Sequence, residues 1–143
     1  MMASRSNGTR ASNLACTPRA RLLITGATGF VGSAVAPAAA AAGWQVRCLA
    51  RKAKAVPAPR TDLTSSWVVG EVGDRAAATR ALEGCEAALY LVHGLGERPA
   101  GDGREVAAAT TFARAAADAG VRRIVYLGCI EPRPEGFGLM VFE

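Results

Sequence analysis

The chain of 143 residues is 50% hydrophobic and carries a formal net charge of +5, from 17 basic and 12 acidic residues. This length suits one domain, and this apolar content predicts a packed core rather than a disordered chain. No apolar run reaches the ~18 residues that a membrane-spanning helix needs, so we expect a soluble, cytoplasmic protein with no membrane partner. The four cysteines are widely spaced without a CxxC pair, which argues against a metal site and predicts reduced thiols.

The charge is distributed unevenly along the chain. Residues 1–61 contain nine Arg or Lys and no acidic residue, and the first acid is Asp62. A basic half predicts an anionic partner, either nucleic acid or a phosphorylated small molecule. The basic residues are not interleaved with the aromatic side chains that stack on bases, so we expect a small molecule and no nucleic acid.

The order of segments predicts one folded domain between two tails. Residues 1–20 lack hydrophobic periodicity and are expected to form a disordered basic tail, although an Arg- and Ser-rich start also fits an organelle transit peptide. The domain is expected to span 21–130. Residues 131–143, with two prolines and two glycines, are expected to form an irregular tail.

Apolar runs of strand length alternate with helical segments inside this domain. Strands are predicted at 21–25, 44–50, 66–72, 86–92 and 121–128. Helices are predicted at 30–42, 75–84 and 104–120, and a loop with at most one helical turn at 51–65. The alternation predicts an α/β fold with a doubly wound parallel sheet, Rossmann-like, of about five strands in the order 3-2-1-4-5. Pro37 is expected to kink or break the first helix.

The segment TGATGFVG joins the first strand to the first helix and contains three glycines. Gly26 would let the chain turn off the strand, Gly29 would let a pyrophosphate approach the backbone, and Gly32 would let the helix pack closely on the strand. The helix start at Phe30 and Val31 would present N–H groups to an anion. Thr28 could add a hydroxyl donor. An ordinary strand–helix turn is the alternative, but the flanking strand and helix favour dinucleotide binding.

The same segment carries a resemblance to a known family. TGATGFVG matches the TGxxGxxG fingerprint of extended and atypical short-chain dehydrogenase/reductases. The stretches VRCLARK, ALEGCEAALYLVHGLG and FARAAADAGVRRIVYLG resemble NmrA-like and nucleoside-diphosphate-sugar epimerase-type proteins of that group. The resemblance runs from about residue 20 to about residue 130. It implies an NAD(P)-binding Rossmann domain, and because full-length relatives continue further, a chain truncated after the fifth strand.

Two basic residues follow the second strand, where the adenosine ribose is read in dinucleotide-binding folds. An acid at this place accepts from the 2′-hydroxyl of NAD, whereas an arginine suits the 2′-phosphate of NADP. Arg51 and Lys52 therefore favour NADP, with NAD less favoured. A solvated basic loop is the alternative.

The resemblance implies that the end of the third strand lies along the adenine ring. Relatives carry a Gly-Asp pair there, and this chain has Gly70 and Glu71, followed by Val72. Val92 and His93 end the fourth strand on the ligand side of the sheet, so we expect them to contact the cofactor. His93 is equally well explained as a polar residue that begins a loop.

The resemblance also implies a way to recognise catalysis, since short-chain reductases donate a proton from a tyrosine whose pKa is lowered by a lysine four residues later. Tyr90 and Tyr126 are followed at that distance by Gly94 and Ile130. No catalytic residue is therefore assigned. Cys129 stands where catalytic relatives carry Ser or Thr.

We therefore expect the NAD(P)-binding domain of an oxidoreductase-derived protein that lacks the Tyr-x-x-x-Lys pair and whose small-molecule substrate is unknown. One alternative is a non-catalytic NmrA-like NADP sensor that acts through partner proteins. Another is a truncated or frameshifted fragment. The fifth strand is expected to lie at an open sheet edge, which favours a homodimer.

Overall fold

The computed structural model describes residues 20–53, 65–92 and 103–128. Strands and helices alternate within these ranges: β1 (Arg21–Thr25), α1 (Phe30–Ala41), β2 (Gln45–Ala50), β3 (Ser66–Val69), α2 (Arg75–Leu82), β4 (Ala87–Tyr90), α3 (Arg104–Asp118) and β5 (Arg123–Tyr126). The predicted tails at 1–20 and 131–143 lie outside the described residues, apart from Ala20. So do most of the predicted loop at 51–65 and His93.

The five strands form one parallel sheet in the order β3-β2-β1-β4-β5, which confirms the predicted fold and strand order. β1 lies at the centre, with Leu22 opposite Val46 of β2 and Leu23 opposite Ala88 of β4. The strand order reverses between β1 and β4. In open parallel sheets the crevice beyond the carboxyl ends of two such strands is where ligands bind.

Helices cover both faces of the sheet because the side chains of β1 alternate between them. Leu22 and Ile24 pack on one face against the alanines of α1. Leu23 packs on the other face with Leu82 of α2 and Phe112 of α3. Continuous apolar strands of this kind are typical of a sheet that is buried on both sides.

The sequence predicts a kink or a break at Pro37, and the break is absent because α1 is continuous through this residue. A proline at this position removes one backbone hydrogen bond, to the carbonyl four residues earlier. The helix survives because Ala36, Ala39 and Ala40 pack against the sheet core. It ends as predicted before Gly43, whose φ of 95° lies in the left-handed region that glycine adopts without strain.

α2 is fixed at both ends by polar side chains. The Asp74 carboxylate accepts a hydrogen bond from the Ala76 N–H at 2.9 Å, as the sequence predicts for an N-cap. At the other end, the Arg47 guanidinium donates to the carbonyls of Arg80, Ala81 and Glu83 at 3.2, 3.0 and 2.8 Å. Part of the basic excess of the first half of the chain therefore stabilises a helix carboxyl end rather than binding an anion.

β3 and β4 are shorter than predicted at their carboxyl ends. β3 ends at Val69 because Gly70 makes the last ladder bond, to the Ala50 carbonyl, and the Glu71 carbonyl then accepts from Asp74 in a turn into α2. β4 ends at Tyr90. The candidate cofactor residues that follow these strands therefore lie in loops at the ligand edge of the sheet.

β5 is an edge strand whose four residues are all exposed. The apolar side chains of Ile124, Val125 and Tyr126 are 38%, 49% and 56% exposed. Among the helices of the described ranges, none is long and apolar enough to cross a membrane.

Candidate functional site

The chain leaves β1 through a tight turn at Gly26. The φ of Gly26 is 65°, and its carbonyl accepts a hydrogen bond from the Gly29 N–H at 2.9 Å. A Cβ atom on Gly26 would lie 3.0 Å from the carbonyl oxygen of Leu91, the residue that directly follows β4. Both the backbone conformation and the close approach of β4 therefore require glycine here.

Gly32 lies where α1 passes directly over this turn. A Cβ atom on Gly32 would lie 2.3 Å from the Gly26 carbonyl oxygen and 2.6 Å from the Ala27 Cα. Both neighbours are backbone atoms, which cannot move aside as the end of a side chain can. Gly32 therefore sets the distance between the first helix and the first strand.

Gly29 is the N-cap of α1 and leaves the helix amino end uncovered. It makes no side-chain capping bond, and the first turn of α1 contains no acidic residue. A Cβ on Gly29 would contact only the Gly26 carbonyl, at 3.2 Å. The first backbone hydrogen bond of α1 runs from the Ser33 N–H to the Gly29 carbonyl. The N–H groups of Phe30, Val31 and Gly32 therefore have no partner within the helix. Such an end attracts an anion, so the residues present fit a pyrophosphate.

The side chains around this amino end differ in exposure. Phe30 is 95% exposed and Val31 is 38% exposed, so neither contributes to the core. Thr28 is exposed as well. The site thus consists of backbone N–H groups bordered by side chains that are accessible to a ligand.

Thr25 ties the two central strands together at the same edge. Its buried hydroxyl donates to the Leu89 carbonyl at 3.2 Å and accepts from the Leu91 N–H at 3.0 Å. These bonds hold the ends of β1 and β4 side by side after the strand ladder has ended. The two strand ends that border the crevice at the strand-order reversal are therefore held at a fixed distance from each other.

A second part of the site is a groove of about 390 Å³ on the face that carries α2 and α3. The lining of this groove includes four residues that the sequence predicts to bind the cofactor, namely Arg51, Glu71, Val72 and Val92. A groove of this size is in the range that holds a small ligand. Lys52 is exposed beside Arg51 but does not line the groove.

α3 supplies the groove residues that the sequence prediction missed. Arg104, Ala107, Ala108 and Thr111 face the groove, together with Gly73 of the loop after β3. Their spacing along α3 places them on one helix face, and this periodicity is the signal that could have indicated them. A Cβ on Gly73 would lie 3.2 Å from the Ala108 Cβ, so the loop and the helix approach closely.

The two parts of the site meet at the end of β4. The Leu91 carbonyl lies against Gly26 in the first part, and Val92, the next residue, lines the groove of the second. The first part offers backbone N–H groups, and the second offers a mixed apolar and charged surface. An elongated ligand with a phosphate portion and a flat, partly apolar portion matches both.

Tyr90 is not placed as a proton donor. Tyr90 is 6% exposed and packs edge-on against Phe112, with the ring centroids 5.1 Å apart. Burial raises the pKa of the Tyr90 phenol, and Tyr126 and Glu105 raise it further. A phenol that donates a proton at neutral pH needs the opposite shift. Within the described ranges, the acidic, histidine and cysteine side chains form no cluster that could hold a metal ion.

Together, the sheet, the glycine turn and the groove define the class of protein, a Rossmann-type dinucleotide-binding domain. A profile of the family described as NAD(P)H-binding matches residues 26–140. The chain belongs to this family, and it is an NAD(P)-binding domain of the short-chain dehydrogenase/reductase type whose cofactor is a nicotinamide dinucleotide.

Similar proteins agree with this assignment. A (4-alkanoyl-5-oxo-2,5-dihydrofuran-3-yl)methyl phosphate reductase from Streptomyces griseus is 43% identical over 119 residues, which are 81% of this chain and 38% of the relative. A short-chain dehydrogenase/reductase superfamily protein from Agrobacterium tumefaciens, crystallised with NAD, is 31% identical, with a TM-score of 0.59 over 74% of this chain and 31% of that one. A glucuronic acid dehydrogenase from Chromohalobacter salexigens is 28% identical, with a TM-score of 0.61 over 73% and 39% of the two chains. The chain thus spans between about a third and two fifths of these relatives.

Proposed function

We propose that the chain binds NADPH in preference to NADH. The observation that carries this preference is the position of Arg51, which follows β2 and lines the groove, with Lys52 beside it. An arginine at this place suits a 2′-phosphate, whereas an acid would accept from the 2′-hydroxyl of NADH. A charge-assisted contact of about 1.5–3 kcal/mol corresponds to a ten- to hundredfold preference.

In this proposal the cofactor lies along both parts of the site. The pyrophosphate binds at Gly26 and Gly29 and at the N–H groups of Phe30, Val31 and Gly32, with Thr28 as a further donor. Support comes from the uncapped amino end of α1 and from the space that Gly29 leaves open.

The adenosine would occupy the groove. Its ring would lie beside Glu71 and Val72 and extend towards Val92, all of which line the groove. His93 follows directly and is proposed as a contact on the nicotinamide side, although it lies outside the described residues.

The whole protein is proposed to be an oxidoreductase, by similarity to the Streptomyces griseus reductase and to the glucuronic acid dehydrogenase. The cofactor, when bound, supplies the hydride. The chain's own residues hold the dinucleotide and fix its orientation. The Tyr-x-x-x-Lys pair is absent from this sequence, and no proton donor is assigned among its residues.

A second candidate function is that of an NADP sensor without turnover. The buried position of Tyr90 and its raised pKa favour this candidate. The two functions are separated by measuring NADPH binding and NADPH oxidation against a panel of carbonyl compounds on the same sample. Binding with oxidation supports the enzyme, and binding without oxidation supports the sensor. Equal dissociation constants for NADPH and NADH would contradict the preference in either case.

The position of β5 supports a proposal of self-association, since β5 is the last strand of the sheet within the described ranges. All four of its residues are exposed, and three of them are apolar or aromatic. Strands at the edge of a sheet can pair with a second copy. Sedimentation velocity is expected to show a homodimer, and a monodisperse monomer across the concentration range would contradict the proposal.

A further inference from the structure

We propose that residues 139–142 of this chain pack on the sheet face beside α1, over β4 and β5. The pairing register defines this face. Leu89 of β4 pairs with Val125 of β5, and Leu127 lies two residues further along, so the three side chains lie on the same side of the sheet. The groove lies on the other side, so the proposal does not depend on which cofactor the groove prefers.

The two faces of β4 and β5 differ in burial. On the face that carries α2 and α3, Ala88 and Tyr90 are 0% and 6% exposed. On the face beside α1, Leu89 is only partly buried, and Val125 and Leu127 are 49% and 43% exposed. Among the described helices, two pack on the first face and only α1 on the second, where it lies over β1 and β2. Parallel sheets are normally covered on both faces, so this apolar surface fits a further segment.

The sequence after β5 contains a segment of matching character. Fifteen residues follow Gly128, and 139–142 are Leu, Met, Val and Phe, a run of four large apolar side chains. The NAD(P)H-binding family profile extends to residue 140, into this run. The run is therefore continuous with the sequence pattern of the domain.

The length of chain between the strand and the run is sufficient for this contact. Residues 129–138 separate Gly128 from the run, and ten extended residues span up to about 33 Å. The stretch from Arg123 to Leu127 is about 17 Å long at the usual rise of a strand. A segment joined to its site by a short linker acts at an effective concentration on the order of millimolar, which favours it over a second copy for this face. The self-association proposed above uses the backbone edge of β5, whereas this contact uses side chains.

Methyl NOE spectroscopy of the full chain tests the contact directly. The methyl groups of leucine, valine and methionine are labelled, and NOEs are measured between Leu89, Val125 or Leu127 and residues 139–141. A second sample, mixed from labelled and unlabelled chains, separates contacts within one chain from contacts between two chains. We expect NOEs within one chain. NOEs that arise only between chains would assign the face to a second copy, and the absence of NOEs would place the segment elsewhere, so either result overturns the proposal.

A double-mutant cycle measures the same contact through stability. Val125→Ala is combined with a serine variant of the run, which carries Leu139→Ser, Met140→Ser, Val141→Ser and Phe142→Ser. Ile124→Ala is the matched control, because Ile124 precedes Val125 on β5 and pairs with Ala88, which is buried on the opposite face. The unfolding equilibrium constant of each variant and each combination is measured in urea.

The serine variant and Val125→Ala are each expected to raise the unfolding equilibrium constant, with a departure from additivity of about fivefold in the combination. The serine variant and Ile124→Ala should be additive within about twofold. Additive effects in both combinations, or the same departure in both, would overturn the proposal.

Discussion

The glycine turn and the groove are proposed to bind different parts of one cofactor, by different physical means. The turn works through the backbone, because Gly26 and Gly32 are needed where other atoms leave no room for a side chain. The groove works through exposed side chains, with Arg51, Glu71 and Arg104 at its lining. Substitutions in the turn should therefore lower stability or abolish binding of both cofactors, whereas substitutions in the groove should change the selectivity between them.

The largest expected effect is that of Gly32→Ala. The added Cβ would meet the Gly26 carbonyl at 2.3 Å and the Ala27 Cα at 2.6 Å, so α1 must move away from the sheet. We expect the free energy of unfolding to fall by about 3 kcal/mol in urea titrations. Ala34→Ser on the exposed side of α1 is the control and should change it by less than about 0.5 kcal/mol. A Gly32→Ala variant as stable as the wild type would show that α1 does not need this close approach.

Gly29→Ala is expected to separate binding from folding within the same turn. Its Cβ would contact only the Gly26 carbonyl, at 3.2 Å, and the extended backbone of Gly29 is accessible to any residue. The free energy of unfolding should therefore change by no more than about 1 kcal/mol. The methyl group would occupy the space of the pyrophosphate, so NADPH and NADH should both bind about a hundredfold more weakly, equivalent to about 2.7 kcal/mol. Unchanged affinity for both would place the pyrophosphate elsewhere.

The next expected effect is on the pH dependence of stability, and it comes from Cys48 in the buried strand β2. Burial raises the pKa of the Cys48 thiol from 9.0 to about 11. Between these values the unfolded chain loses the thiol proton and the folded chain retains it, so the free energy of unfolding falls as the pH rises from about 9 to about 11. The expected loss is about 2 kcal/mol.

Cys48→Ala removes this component and leaves the other titrating groups in place. The variant should be less stable than the wild type below pH 9, because a buried side chain has been shortened. Its stability should then fall less steeply above pH 9. Parallel stability curves for the two proteins would contradict the raised pKa.

The smallest expected effect is that of Arg51→Gln, which should act on selectivity alone. The side chain is exposed, so the free energy of unfolding should change little. NADPH should bind about tenfold more weakly, about 1.4 kcal/mol, with the NADH affinity nearly unchanged. Arg75→Gln, which alters an exposed ion pair with Asp118 away from the groove, should change neither affinity. A parallel loss of both cofactors in Arg51→Gln would assign Arg51 to general binding.

The sequence was sufficient for the features that depend on local pattern. Alternating apolar and helical segments predicted the strand order, and the glycine spacing predicted a turn whose close contacts the structure shows at Gly26 and Gly32. The sequence also predicted that Arg51 and Glu71 lie at the same site, because the carboxyl ends of parallel strands meet at one edge of the sheet. Both residues line the groove.

The features that depend on packing were missed. The contribution of Arg104 to the groove is set by how α3 rotates when Phe112 enters the core, and one sequence does not fix that rotation. The expected break at Pro37 is absent because the alanines around it pack on the sheet. β3 ends three residues early because the turn formed by Glu71 and Asp74 competes with the strand ladder.

The most direct test of the account is a backbone amide NMR titration of the 14.7 kDa chain with NADPH. We expect the largest chemical-shift changes at the amides of Gly29, Phe30, Val31 and Gly32, with further changes at Arg51 and along the groove. NADH should produce the same changes at the turn and smaller ones at Arg51. Saturating NADPH without shift changes at the glycine turn would contradict the account.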